Sequence, residues 1–207
     1  MKIKNSDHAS QPFLTRFQRF TLWLSLLLVP SLAQAHPGMP GHVHGFENGL
    51  LHPLTGLDHI CAMIAVGLWA AQCGGRARWV LPVTFVSVMI LGGALGMGGV
   101  GIPGVEQGIA ASVLVLGLLI AVAIRLPLAA GAGIVGVFAL FHGYAHGAEM
   151  PESASGFTYG LGFVLATISL HLAGIGLGVT AQRFANGRWI RLAGGAIAAC
   201  GAAFCLA

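Results

Sequence analysis

Apolar residues dominate this chain in long runs, and the polar interruptions between them are short. Six such runs fall at about 50–72, 79–98, 107–124, 127–148, 156–181 and 188–206. Each is close to the about 20 residues that a helix needs to cross a bilayer. The breaks, at 73–78, 99–106, 125–127, 150–155 and 182–187, are rich in Gly, Pro or Arg. The pattern predicts an all-α protein, a polytopic membrane helix bundle with six transmembrane helices over 50–207.

Composition supports that class. Of 207 residues, 56% are hydrophobic and 8% are charged, against about 25% charged in a soluble domain. So few charges cannot solvate a globular surface of this size. The 32 glycines suit membrane helices, where a missing side chain lets backbones approach closely. Gly92, Gly93, Gly96, Gly174, Gly176 and Gly178 read as packing stripes.

The N-terminus has a different grammar. Lys2, Lys4, Arg16 and Arg19 precede an apolar run from Phe20 to Ala33, which Pro30 interrupts and which Ala33-Gln34-Ala35 follows. A basic region, an apolar core too short to span and an A-x-A site make residues 1–35 a secretory signal peptide. An uncleaved signal anchor is the alternative. Cleavage leaves a His-rich leader, 36–49, ahead of the helical domain.

Charge then orients the bundle. With the mature N-terminus outside, the loops after the first, third and fifth spans face the cytoplasm. Those loops and their edges carry Arg76, Arg78, Arg125, Arg183, Arg188 and Arg191, all the arginines of residues 36–207. The other side carries Glu106, Glu149 and Glu152. This is the positive-inside distribution expected of a multi-pass protein in a bacterial inner membrane with a periplasmic N-terminus. Six Arg against five acidic residues leave about +1 after cleavage, which gives no reason to expect a nucleic-acid partner. Three spans per half would give the halves opposite topology, as an inverted repeat requires. Cys61, Cys73, Cys200 and Cys205 include no C-x-x-C pair and are expected to be free thiols.

Two polar strings break the apolar pattern. The first is His52-Pro53-Leu54-Thr55-Gly56-Leu57-Asp58-His59, and the second is His142-Gly143-Tyr144-Ala145-His146-Gly147-Ala148-Glu149. Ionisable side chains within a membrane span are costly and mark a functional site. His52 and His59, seven apart, would share a face of one helix, with Asp58 about 100° round from His59. Pro53 and Gly56 should loosen its first turns. His142, His146 and Glu149 follow i, i+4, i+7 spacing and form one stripe. By the topology above, both strings lie in the outer half of the membrane, so His52, Asp58, His59, His142 and His146 could converge there with Glu149 at the mouth. Nitrogen and oxygen donors of this kind suit nickel, cobalt or zinc. The structural alternatives are an Asp58 that caps a broken helix and histidines that bond carbonyls. His171 stands alone in the fifth span, one turn after Thr167, either as an inner relay or as a packing residue. His36, His42 and His44 form a chelating leader if cleavage follows Ala35, or an idle one.

The two strings, with Cys61-Ala62-Met63-Ile64-Ala65-Val66-Gly67-Leu68-Trp69-Ala70 after the first and Phe141 before the second, resemble the HupE/UreJ family of hydrogenase and urease accessory proteins. The leader and six spans extend the likeness over nearly the whole chain. The resemblance implies a nickel permease supplying nickel enzymes, with His52, Asp58 and Glu149 as the polar residues that matter most. The expectation is therefore uptake of Ni2+, or of Co2+ or Zn2+, as a transported ion in a lipid bilayer, with no prosthetic group. No nucleotide-binding motif is present. Two other classes stay open at this point: an intramembrane zinc hydrolase, whose open metal position would activate water, and a metal sensor or accessory protein without flux.

Overall fold

The computed structural model describes residues 45–150, 155–185 and 187–207; the signal peptide, His36, His42 and His44 lie outside them. The described residues form seven helices: α1 (Gly45–Thr55), α2 (Leu57–Cys73), α3 (Ala77–Met97), α4 (Val105–Val122), α5 (Leu128–Ala148), α6 (Gly156–Ala185) and α7 (Arg188–Leu206). Five of them, α3 to α7, are long and apolar enough to cross a membrane, and the number is six if α1 and α2 count as one span. Side chains such as Trp79, Val83, Leu177 and Leu192 point outward and are more than half exposed. An apolar exterior on this scale would aggregate in water and is ordinary in lipid. The chain is a multi-pass membrane protein.

The first predicted span needs correction. Residues 50–72 are not one helix: α1 and α2 meet at 78°. Residues 45–49, read as leader, already belong to α1. The break has a local cause. Pro53 has no N–H to give the preceding turn, and Gly56 takes an extended conformation (φ −84°, ψ 118°) between the helices. The His52 carbonyl accepts from the Gly56 N–H (3.3 Å) and from the Thr55 hydroxyl (3.0 Å).

Glycines set the helix pairing. A Cβ at Gly143 of α5 would fall on the Met89 carbonyl of α3, and one at Gly92 of α3 on the Leu140 carbonyl of α5. Only two bare backbones can run this close. Gly67 and Gly174 bring α2 against α6 in the same way, and Gly117 and Gly201 bring α4 against α7. Residue numbers rise together along α3–α5 and α2–α6 and in opposite senses along α4–α7, so the first two pairs are parallel and the third antiparallel. Exchanging the halves of the bundle sends α2–α6 onto α5–α3 and α4–α7 onto itself. An inverted repeat would have this pattern.

The end of α4 shows how exposed helix carbonyls are handled where water is scarce. Ala123 closes the helix in the left-handed conformation (φ 58°). Trp69 donates to the Ile124 carbonyl (3.0 Å), Gln72 to Ile120 (3.1 Å) and Arg191 to Ala121 (2.9 Å). These bonds tie α2 and α7 to the end of the bundle opposite the histidines, and they satisfy acceptors that lipid cannot.

Candidate metal site

The two polar strings meet at one end of the bundle. The α1–α2 bend turns His52 back toward His59, and the α3–α5 glycine contact holds the end of α5 beside them. Ring centroids lie 4.5 Å apart for His52–His146, 4.5 Å for His59–His146, 4.9 Å for His59–His142 and 6.0 Å for His52–His59. His59, His142 and His146 are buried, while His52 is half-buried. His52 and His59 do not share a helix face, as their spacing suggests; they sit on two helices, and the bend supplies the proximity.

The three buried imidazoles each take part in the hydrogen-bond pattern. Asp58 Oδ1 accepts from the His59 backbone N–H (2.9 Å) and faces His59 Nδ1 at 2.8 Å. A carboxylate can only accept, so His59 carries a proton on Nδ1, and in the neutral ring Nε2 is the lone pair. That lone pair faces His146 Nε2 at 2.6 Å. Gly56 makes the Asp58–His59 pair possible: a Cβ there would lie 2.8 Å from Asp58 Oδ1 and 3.0 Å from His59 Nδ1. A carboxylate behind an imidazole is the usual support of a metal-ligating histidine, fixing its tautomer and raising its basicity.

His142 is oriented by Ser112 of α4. The serine hydroxyl donates to the Ile109 carbonyl (2.6 Å), so its oxygen accepts from His142 Nε2–H at 2.9 Å. His142 Nδ1 is then a bare lone pair, and it is buried without a partner, as is His146 Nδ1. A buried nitrogen left unsatisfied costs free energy and calls for an explanation. Phe163 of α6, itself buried, packs its ring 4.1 Å from His146 by centroids.

The ligand atoms of His52, His146 and Glu149 all lie within 4.8 Å of one another, with Glu149 exposed. This N, N, O triad is open at the bundle surface and backed by the buried His59 and His142. The sequence-derived candidates therefore divide by position. His52, His146 and Glu149 form the open group, Asp58 touches His59, and His142 turns one nitrogen to Ser112. His171, on α6, is outside this group; it and His142 both neighbour the Phe85 ring, at 5.0 and 5.8 Å between centroids. The four cysteines are free, and Cys61 is partly buried in the core rather than in this group.

Ser112, Phe85 and Phe163 escaped the reading from sequence. Ser112 had a signal, being the one hydroxyl in the apolar run 107–124. The phenylalanines had none among 11 in the chain.

Residues 24–204 match the family described as HupE / UreJ protein. Protein HupE of Rhizobium leguminosarum bv. viciae is 46% identical over 190 residues, covering 91% of this chain and 97% of its own length. No solved structure matches the chain.

Proposed function

The chain belongs to the HupE/UreJ family, and from that premise we propose that it is a permease for divalent transition-metal ions, Ni2+ foremost, that supplies a nickel enzyme. The observation that carries this reading is the four-histidine cluster, which joins an exposed carboxylate to buried imidazole nitrogens at one end of an apolar bundle. Imidazole with one carboxylate suits nickel, cobalt and zinc and disfavours magnesium and calcium, which prefer all-oxygen sites.

The proposed sequence begins outside the membrane, where the His36, His42 and His44 segment collects the ion. Glu149 and His52 receive it at the exposed mouth, where the carboxylate offsets its charge, and His146 replaces more of its water. His59, held in the right tautomer by Asp58, then competes for the ion through Nε2, and His142 offers Nδ1. Handing an ion along closely spaced imidazoles exchanges one ligand at a time, so no step strips the full hydration shell. A potential negative inside contributes about 4.6 kcal/mol per 100 mV to the inward movement of a divalent charge, enough to drive flux without a nucleotide.

Radioactive nickel uptake by nickel-starved cells tests the reading. Wild type should accumulate the ion, and His146→Ala and Asp58→Ala, matched for membrane expression, should not. Zinc retained at one per chain with no flux of nickel, cobalt or zinc would replace this reading with the hydrolase.

A further inference from the structure

α4 has no histidine, cysteine or aspartate, and its one acid, Glu106, is exposed in the first turn. Its single buried polar side chain is Ser112. A serine inside a helix satisfies its hydroxyl most simply by donating to a carbonyl one turn back, and Ser112 does so with Ile109 at 2.6 Å. That bond uses the hydroxyl proton and leaves the oxygen lone pairs, which face His142 Nε2 at 2.9 Å. Both helices are shaped for this contact. A Cβ at Gly108, one turn before Ser112, would lie 2.6 Å from the Phe141 ring. The residue next to His142 therefore rests on bare α4 backbone, and the two helices approach at the level where the serine meets the imidazole.

Among the described residues Ser112 is the one hydrogen-bond partner of the His142 ring. The rings of His59 and Phe85 flank it at 4.9 and 5.8 Å between centroids, and its Nδ1 has no partner. His142 also has a distinct place in the cluster. Exposure falls from Glu149, which is exposed, through half-buried His52 to His146 at 3% and His142 at 0%. The open triad of His52, His146 and Glu149 does not include His142, which precedes His146 by one turn of α5, about 6 Å along the axis at 1.5 Å per residue. The imidazole that Ser112 holds is thus not where an ion from outside arrives but one turn further in.

We propose that Ser112 is a positioning residue for the inward step of transport: by accepting from Nε2–H it keeps His142 turned so that Nδ1 is the atom offered to an ion leaving the open triad. The inference rests on the reading of the cluster as the path of the transported ion. Ser112 itself touches no ion. Without its hydroxyl the buried Nε2–H has no acceptor, and the ring is free to rotate or to carry its proton on Nδ1 instead. Either change withdraws the lone pair that the ion needs. Capture by the triad is untouched. Ser112 therefore governs the maximal rate of transport, whereas Glu149 at the mouth governs the concentration at which transport half-saturates. Removing the group that orients a metal-binding histidine costs about 10–100-fold in affinity or activity, and the loss here falls on the rate.

Radioactive nickel uptake into sealed liposomes, measured over a range of Ni2+ concentrations, tests it with wild type, Ser112→Ala, His142→Ala and the double variant of the full chain. Ser112→Ala should lower the maximal rate at least about tenfold and leave the half-saturating concentration unchanged, which also shows that the variant is folded. The double variant should be no slower than His142→Ala, because Ser112 acts only through that ring. The 15N shifts of histidine-labelled protein in detergent add a readout that a packing role would not move. The His142 signal, assigned by its loss in His142→Ala, should be that of the Nε2–H tautomer in wild type and should change in Ser112→Ala. An unchanged maximal rate in Ser112→Ala, a raised half-saturating concentration in its place, a further loss in the double variant or an unchanged His142 tautomer would each overturn the positioning role while the proposed function stands. Wild type that moves no nickel overturns both.

Discussion

Replacing Asp58 by Asn probes the support of the cluster without removing a ligand. Asp58 Oδ1 faces both His59 nitrogens, ring and backbone, at 2.8 and 2.9 Å. The amide keeps an acceptor of the same shape and loses the charge. Hydrogen bonds to charged groups contribute about 1.5–3 kcal/mol against about 1 for neutral ones, and losing a carboxylate behind a metal-bound histidine costs about 10–100-fold in affinity. At about 1.4 kcal/mol per tenfold the second estimate is a loss of about 1.4–2.8 kcal/mol, and the first, a difference of about 0.5–2, overlaps it at about 1.4–2 kcal/mol. The assay is Ni2+ titration of purified wild type, Asp58→Asn, His59→Ala and the double variant. If Asp58 acts through His59, the double variant is no weaker than His59→Ala alone, and the coupling energy equals the whole effect of Asp58→Asn. Losses that add in the double variant would refute the positioning role and make Asp58 an independent ligand.

Gly56→Ala should reproduce the Asp58→Asn phenotype, since the new methyl would crowd both Asp58 Oδ1 and His59 Nδ1; Ni2+ titration reads it. Gly143→Val should lower the melting temperature in detergent and weaken metal binding, because its side chain meets the α3 backbone at Met89 and overpacking costs about 1–3 kcal/mol. Gly133→Ala on the same helix meets nothing within 4 Å and should leave both properties intact. Ni2+ affinity should fall as pH is lowered, because only neutral imidazoles bind and protons compete for the same lone pairs; titrations across the acid range measure it.

The helical architecture was legible because lipid imposes it: runs of about 20 apolar residues between Gly, Pro and Arg breaks admit few other structures. The bend was half legible. Pro53 and Gly56 signalled a loosened turn, yet local signals do not carry an angle, so His52 and His59 were placed on one face when they meet across a corner. That His142 and His146 approach His59 followed from counting spans, since the start of one and the end of another fall at the same depth. Which nitrogen faces which partner was not legible. It depends on Asp58, on Ser112 from a third helix and on the α3–α5 spacing that Gly92 and Gly143 permit. Phe85 was invisible for a different reason. An aromatic residue in an apolar helix carries no mark of its surroundings until its neighbours are known, and two of those of Phe85 are histidines.

Flux itself is the most direct test of the account. Purified protein reconstituted into sealed liposomes, with a potential negative inside and radioactive nickel outside, should accumulate the ion, and His146→Ala liposomes of equal protein content should not exceed empty ones. Wild-type liposomes that accumulate no more nickel than empty ones, while the protein still binds the ion in detergent, would contradict the account and leave a protein that holds the metal without moving it.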